Sequence, residues 1–242
     1  MRYLVLSDIH SNLAALDAVL ADAGAFDTVW CLGDVVGYGP QPNECVERLR
    51  SLPHIGVAGN HDLAAIDQLD ISAFNPDAVT ACLWTREQLT LHSWKFLEDL
   101  PHTIVEGDFT IVHGSPRHPI WEYITHPAVA MANLANFDTV YCLFGHTHVP
   151  VIYAFDVSAE TCEGFAMPED APIPLGGDRL LVNPGGVGQP RDGDPRASYM
   201  VLDMEHSTME YRRVEYRIEE TQQLMFSLGL PRRLAERLSV GW

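Results

Sequence analysis

Short apolar runs alternate with helix-like segments over the first sixty residues of the chain. The apolar runs are residues 2–7, 28–33 and 54–59, and the helical segments are residues 12–24 and 42–52. We expect Ser11 to cap the first helix and Gly24 to end it, because these residue types favour those positions. Strands that alternate with helices predict a parallel sheet covered by helices.

The remainder of the chain is helical first and then mainly β. Residues 62–100 have a helical pattern with a break at 74–77, and a hairpin turning at Gly107 follows. The further predicted elements are a helix at 126–136, a strand at 139–145, several strands from Val149 onward, and a tail of two short helices at 217–240 separated by Pro231. We therefore expect one domain over residues 1–242, with a mixed sheet first, a mainly antiparallel sheet second and helices outside.

Composition and charge narrow the class of protein. Hydrophobic residues make up 47% of the chain, which is typical of a globular protein, and no apolar run is long enough to span a membrane. The N-terminal apolar run is too short for a signal peptide, so we expect a cytoplasmic protein without a membrane partner. The formal net charge of −18 and the single lysine, Lys95, disfavour binding of a nucleic acid polymer. Five scattered cysteines predict neither disulfides nor a thiolate zinc site.

Side chains that bind metals follow five of the predicted strands. They are Asp8 and His10, then Asp34, then Asn60 with His61 and Asp62, then His113, and finally His146 and His148. Ligands bind beyond the carboxyl ends of strands in open α/β sheets, so we expect these side chains to meet at one edge. One such pair alone would favour an ordinary polar loop, but five in succession favour a site.

This ordered set of motifs resembles the calcineurin-like metallophosphoesterases, and in particular their small bacterial single-domain members. The motifs are Asp8-x-His10, Gly33-Asp34, Gly59-Asn60-His61-Asp62, His113-Gly114 and Gly145-His146-x-His148. The resemblance implies an α/β fold, a four-layer α/β/β/α sandwich of two mixed sheets flanked by helices. It also implies two metal ions, one held by Asp8, His10, Asp34 and His148, the other by Asp34, Asn60, His113 and His146. The last two dozen residues lie beyond the resemblance.

The reaction implied by the resemblance is hydrolysis of a phosphomonoester or phosphodiester, by a hydroxide that bridges two metals, with His61 as the general acid. Imidazole and oxygen ligands suit Mn, Fe, Zn, Ni or Co, as two divalent or trivalent ions. Asp8 and Asp34 are the only anionic ligands, so the centre would stay positive and attract a small phosphate ester. His61 could instead only orient the substrate, and for Asp62 we favour capping the next helix over holding His61.

Three residues are candidates for substrate binding. Asn12 could bind a phosphate oxygen or simply start the helix, and Tyr38 could form a pocket wall. Arg191, in the Gly- and Pro-rich loop 183–196, could pair with phosphate or lie on the surface. The alternative function is a catalytically silent scaffold of the same fold that binds a partner protein. A dinucleotide-binding protein is disfavoured, because no G-x-G-x-x-G follows the first strand.

Overall fold

The computed structural model describes residues 1–156 and 158–242, which contain twelve strands and eight α-helices. The strands are β1 (Arg2–Leu6), β2 (Thr28–Cys31), β3 (His54–Gly56), β4 (Thr103–Glu106), β5 (Phe109–Val112), β6 (Tyr141–Leu143), β7 (Val151–Asp156), β8 (Thr161–Phe165), β9 (Pro172–Pro174), β10 (Arg179–Asn183), β11 (Ala197–Asp203) and β12 (Thr208–Val214). The helices are α1 (Leu13–Asp22), α2 (Pro42–Arg50), α3 (Asn60–Ala65), α4 (Pro76–Gln88), α5 (Leu91–Glu98), α6 (Pro127–Asn133), α7 (Ile218–Ser227) and α8 (Arg232–Glu236). Two short 3₁₀ helices, Leu134–Asn136 and Arg237–Ser239, complete the elements.

The strands form two six-stranded sheets, and both sheets are mixed. The first sheet has the order β3-β2-β1-β11-β12-β9, in which β1, β2 and β3 run parallel and the other neighbours antiparallel. The second sheet has the order β4-β5-β6-β10-β7-β8, in which β5, β6 and β10 run parallel. The predicted pair of mixed sheets is confirmed.

Alternating side chains along the strands build four layers. Val5 of β1 faces a core shared with Ile111 and Leu143 of the second sheet, so the two sheets pack face to face. Leu4 and Leu6 point the other way, into a core that holds α1 and α2. The outer face of the second sheet packs against α6. The order of layers is therefore helix, sheet, sheet, helix, as expected.

The way the chain is divided between the sheets differs from expectation. We expected the first half to form one sheet and the second half the other, but β11 lies beside β1, with Leu4 opposite Val201. The alternation of apolar and polar residues along a strand indicates which face of the strand is buried, but it does not indicate which strand lies beside it. As a result, the candidate residues after β1, β2 and β3 come from the first sheet, and those after β5 and β6 come from the second.

The two ends of α1 can be compared with the predicted N-cap and the predicted C-terminal stop. Asn12, and not Ser11, caps α1, because the Asn12 Oδ1 atom accepts from the N–H of Ala15 at 3.2 Å. Ser11 donates its own N–H to Val35 O at 3.0 Å and has a left-handed φ of 53°, so it belongs to the loop before the helix. The prediction for Ser11 was wrong. Gly24 follows the helix with a φ of 72°, which confirms the predicted stop.

The C-terminal tail forms two helices on either side of Pro231, as predicted. Met225 of α7 and Leu234 of α8 pack in a small apolar cluster with Tyr38 and with Ala81 of α4. The tail therefore lies against the loop that follows β2. Within the described part of the chain, no helix is both long and apolar enough to cross a membrane.

Candidate metal centre

Loops from both sheets bring the seven predicted metal ligands into one buried cluster. The seven residues are Asp8, His10, Asp34, Asn60, His113, His146 and His148, and none is more than 3% exposed. Each of the loops follows a strand of the parallel parts of the two sheets. Polar side chains of this kind are buried only where partners or a bound ion compensate for lost water.

Asp8, His10 and His148 form a first group that could hold a metal ion. The Asp8 Oδ1 atom lies 3.2 Å from His148 Nε2. The Nε2 atom of His10 lies 3.2 Å from His148 Nε2 and 3.8 Å from Asp8 Oδ1. A cation between these atoms would meet one carboxylate oxygen and two imidazole nitrogens.

Asp34, His113 and His146 form a second such group. The Nε2 atom of His113 lies 3.4 Å from Asp34 Oδ2, 3.1 Å from His146 Nδ1 and 3.0 Å from Asn60 Oδ1. The same Asp34 Oδ2 atom is 3.6 Å from His10 Nε2 in the first group. One carboxylate oxygen therefore faces both groups.

Each carboxylate is fixed through one oxygen and leaves the other for the site. Asp8 Oδ2 accepts from Ser7 Oγ at 2.6 Å and from the N–H of His146 at 3.1 Å. Asp8 Oδ1 has no hydrogen-bond partner among the described residues. Asp34 Oδ1 accepts from the N–H of His61 at 2.8 Å. Burial alone would raise the pKa of Asp8, but His148 and His113 outweigh it and keep that pKa below its ordinary value.

Three imidazole rings are oriented by backbone carbonyls. The Nδ1 contacts run from His10 to Val36 O (3.2 Å), from His113 to Leu32 O (2.8 Å) and from His148 to Gln189 O (2.5 Å). A carbonyl oxygen can only accept, so each Nδ1 atom carries the proton and donates it. In the neutral form of each ring, the Nε2 atom then turns a lone pair toward the centre, which is the arrangement found in metal-binding histidines. This set of donors fits a cation.

Burial and the nearby carboxylates together set the charge of the histidines in the cluster. Burial holds the pKa values of His10 and His146 well below the ordinary range, so both rings are neutral. His113 differs: burial would lower its pKa, but Asp34 outweighs burial and raises it to about 9. A proton on His113 thus partly balances the carboxylates in the metal-free protein. A metal ion would replace that proton.

The backbone of the cluster is unusual. Asp8, His10, Asp34, His146 and His148 all have left-handed φ angles, between 47° and 65°. A non-glycine residue in this region costs energy and persists only where the surroundings enforce it, which is common at functional sites. Close packing adds a second constraint, since a Cβ atom on Gly59 would lie 2.0 Å from Asp34 Oδ1.

His61 lies beside the two groups. Its ring is 5.0 Å from the ring of His10, 4.2 Å from Tyr38 and 4.9 Å from Phe74, measured between centroids. The Nδ1 atom is buried without a hydrogen-bond partner in the described structure. Burial lowers the pKa of His61 to about 4. Asp62 caps α3, accepting from the N–H of Gly59 at 2.9 Å, so the predicted capping is confirmed.

The three candidates for substrate binding have different surroundings. Asn12 is engaged inside the protein, since its Nδ2 atom donates to Gly188 O at 2.9 Å and its Oδ1 atom caps α1. The structure thus gives Asn12 the alternative role, at the start of the helix. The Tyr38 ring lies 4.7 Å from His10, and the Arg191 guanidinium lies 5.7 Å from the Tyr38 ring centroid. The Nε atom of Arg191 is buried and has no partner among the residues described.

Two features of the site had no signal in the sequence. Asn183 is fully buried and donates to Gly145 O at 2.7 Å and to Thr147 Oγ1 at 3.0 Å, which fixes the loop carrying His146. The Tyr123 ring stacks on His146, with centroids 3.8 Å apart. Asn183 is the last residue of β10 and Tyr123 lies in a loop, and hydrophobic spacing does not indicate which residues either side chain contacts.

Comparisons with known proteins agree with this geometry. The model of the calcineurin-like phosphoesterase superfamily domain matches residues 1–207. The crystal structure of a metallophosphoesterase from Sphaerobacter thermophilus is 48% identical, covers 100% of this chain and 99% of its own, and superposes with a TM-score of 0.92.

Two curated relatives extend the comparison. The uncharacterized protein MJ0912 of Methanocaldococcus jannaschii is 40% identical over 98% of this chain and 97% of its own length. A symmetrical bis(5′-nucleosyl)-tetraphosphatase of Glaesserella parasuis is 27% identical over 54% of this chain, which matches 50% of that relative's length. From its site geometry and from these matches, the chain belongs to the calcineurin-like phosphoesterase superfamily.

Proposed function

We propose that this protein is a metal-dependent phosphoesterase that hydrolyses a small phosphomonoester or phosphodiester at a centre of two metal ions. The observation that carries the proposal is the position of Asp34 Oδ2, which lies 3.6 Å from His10 Nε2 and 3.4 Å from His113 Nε2. A single carboxylate oxygen between two groups of donors is an arrangement that suits a pair of ions. The family match supports the same reaction class.

The residues would divide between the two ions as the resemblance implies. Asp8, His10 and His148 would hold one ion, Asn60, His113 and His146 the other, and Asp34 would reach both. We propose Mn, Fe, Zn, Ni or Co, because the donors are imidazole nitrogens and oxygens without a thiolate. Bound there, the ions would supply Lewis acidity and make a water molecule more acidic.

The local charge of the proposed metal centre would favour an anionic substrate. Two divalent cations would outweigh the carboxylates of Asp8 and Asp34, and Asn60 contributes only a neutral oxygen. The centre would therefore attract a phosphate ester although the whole chain carries a formal net charge of −18. Arg191, whose Nε atom has no partner among the described residues, would add a hydrogen bond to a phosphate oxygen, and Tyr38 would form a wall of the pocket beside Arg191 and His10.

We assign His61 the role of general acid. Its ring stands next to His10, its backbone N–H is tied to Asp34, and its Nδ1 atom has no partner in the described residues. Burial keeps the ring neutral without substrate, with a pKa of about 4. The negative charge of a bound phosphate ester would raise this pKa, so proton uptake would accompany substrate binding. The proton would then pass to the departing alcohol oxygen.

The C-terminal helices are included in the same domain in this proposal. Met225 and Leu234 bury their side chains against Tyr38, which itself contacts His10. A tail that packs on a residue of the site is part of the folding unit that contains the site. We therefore treat residues 1–242 as one metallophosphoesterase domain.

Activity assays after defined metal loading test the proposal. The protein is stripped with EDTA, reloaded separately with Mn²⁺, Fe²⁺, Zn²⁺, Ni²⁺ or Co²⁺, and assayed with p-nitrophenyl phosphate, bis-p-nitrophenyl phosphate and a nucleotide panel. We expect hydrolysis with at least one ion and none after stripping. His61→Ala should lower turnover about 10²–10⁴-fold while the metal content stays unchanged. Metal-loaded protein that hydrolyses none of these esters would refute the proposal.

A further inference from the structure

Three aromatic side chains line one side of the candidate metal centre, and we call them the aromatic shelf: Phe74, Trp121 and Tyr123. Phe74 contacts the ring of His61 at 4.9 Å, and Tyr123 stacks on His146 at 3.8 Å with the rings 22° apart. Trp121 lies between them, 5.4 Å from Phe74 and 6.4 Å from His146. The shelf therefore borders both the proposed general acid and one of the two groups of metal donors.

The shelf is exposed although it is apolar. Trp121 is 36% exposed and Tyr123 is 46% exposed, while the histidines beneath them are almost fully buried. The planes of Trp121 and Phe74 meet at 85°, so the two rings form a corner. A flat ring that stacks on one of these two rings would meet the edge of the other ring. Both stacked and edge-to-face contacts are favourable for aromatic groups.

The loop that carries Trp121 and Tyr123 is held in place by Glu122, which lies between these two residues in the sequence. Glu122 accepts from Ser115 Oγ at 2.7 Å, from Arg117 Nε at 2.8 Å and from Asn133 Nδ2 at 2.8 Å. Burial would raise the pKa of Glu122, but its hydrogen bond to Arg117 dominates and lowers it to about 2. This carboxylate stays ionised and bound, so Trp121 and Tyr123 are fixed toward solvent before any ligand arrives. Such preorganisation favours binding, because less motion is lost when a ligand stacks.

We propose that the aromatic shelf binds a flat heteroaromatic ring carried by the phosphate ester, and that the substrates are nucleoside phosphates. This inference rests on the proposed function, since the phosphate must lie at the metal centre for its substituent to reach the shelf. Phe74 contacts the residue assigned to protonate the departing alcohol, so the ring belongs to the alcohol side of the ester. Stacking of one base on aromatic side chains contributes about 5- to 150-fold in affinity.

Binding of inert analogues tests this assignment separately from catalysis. The probes are phosphonates of adenosine 5′-monophosphate and of ribose 5-phosphate, in which a methylene group replaces the ester oxygen, titrated calorimetrically into Mn²⁺-loaded protein. We expect the adenosine compound to bind at least about 5-fold more tightly. Equal affinities would overturn the inference. Phenylphosphonate and ethylphosphonate form a second pair, and a preference confined to that pair would point to simple aryl esters and would also overturn it.

Variants locate the effect on the shelf. Trp121→Ala should remove most of the preference for the adenosine compound while leaving the affinity for the ribose compound unchanged, and Trp121→Phe should retain most of it. Phe226→Ala is the matched control, because Phe226 is a 42% exposed aromatic residue outside the shelf. A preference that survives in Trp121→Ala combined with Tyr123→Ala would refute the assignment. So would a Trp121→Ala variant that changes only the oligomeric state.

Hydrolysis of ribose 5-phosphate distinguishes the two proposals. If it is hydrolysed but the two phosphonates bind equally, the phosphoesterase function stands and the shelf assignment fails. If no ester is hydrolysed while the adenosine compound still binds preferentially, the proposed function fails and the shelf remains a nucleotide-binding surface.

Discussion

The Nε2 atoms of His10 and His148 lie 3.2 Å apart, although each ring already donates its Nδ1 proton to a backbone carbonyl. Two neutral imidazoles in this state turn lone pairs toward each other, which is unfavourable in a buried site. A cation between them would convert that repulsion into two coordination bonds. The relationship therefore links metal binding to the stability of the fold.

Removal of metal should lower the thermal stability of the protein. A ligand that binds only the native state adds about 2.7 kcal/mol when its free concentration is about 100 times Kd. For a chain of this size that corresponds to a rise in Tm of about 5–11 °C. Calorimetry of EDTA-treated protein, with and without added Mn²⁺, measures the shift. Identical melting curves would contradict a native site for metal.

Asp8→Ala should remove one of two metal ions preferentially. Asp8 lies in the first group only, whereas Asp34 faces both. We expect elemental analysis to show metal content falling from about two ions per chain toward one, with most of the hydrolytic activity lost. Asp70→Ala is the matched control, because Asp70 is exposed and, among the described residues, accepts hydrogen bonds from Ser72 alone. Loss of both ions, or of neither, would argue against the proposed division of ligands.

The residues of the candidate metal centre could be found in the sequence because each one interrupts a regular pattern. Asp8 follows the buried apolar run of β1, and His113 follows that of β5. A polar residue at the carboxyl end of a strand is informative, because those ends gather at one edge. The order of the motifs also resembles that of a known family. This resemblance implies which residues share a metal ion, which spacing alone does not show.

The partition of strands between sheets could not be predicted in the same way. β1 pairs with β11, about 195 residues later, and only the folded chain selects that neighbour. The aromatic shelf was missed for a related reason, since Trp121 and Tyr123 lie in a loop without periodicity. Asn12 replaced Ser11 as the cap because the loop before α1 runs through left-handed residues, and hydrophobic spacing does not reveal where such a loop stops.

Gly59→Ala should disrupt the centre through a steric contact. The φ angle of Gly59 is −96°, which alanine adopts without strain, so its Cβ atom is the only addition. That atom would lie 2.0 Å from Asp34 Oδ1, and overpacking of this kind costs about 1–3 kcal/mol. We expect a lower Tm together with lower metal content, because Asp34 must move.

Gly176→Ala is the matched control for this substitution. No described atom lies within 4 Å of a Cβ atom built on Gly176, so its Tm and metal content should equal those of the unmodified protein. The steric account is wrong if Gly59→Ala retains full metal content, or if Gly176→Ala loses as much as Gly59→Ala does.

The metal-free protein should be most stable near neutral pH. Burial lowers the pKa of His61 to about 4 and also lowers that of His10, His146 and His148 below the ordinary value of about 6.5. As the pH falls below 6.5, the unfolded chain therefore takes up protons at these four imidazoles more readily than the native protein does. Burial raises the pKa of Asp62 to about 7, which gives the native state one extra proton and offsets only one of the four. Stability falls as the pH falls.

Above neutral pH the stability should instead fall as the pH rises, and the residue responsible is His113. The pKa of His113 is raised to about 9 because Asp34 outweighs burial, so its contribution is fully present below pH 6.5 and is lost as the pH rises through 9. Urea unfolding of EDTA-treated protein at pH 5, 7 and 9.5 should give the highest free energy of unfolding at pH 7. His61→Gln should reduce the loss between pH 7 and pH 5, because one of the four imidazoles is gone, and should leave the alkaline loss unchanged. A metal-free protein that is equally stable at pH 5 and pH 7 would contradict the buried neutral state of these rings.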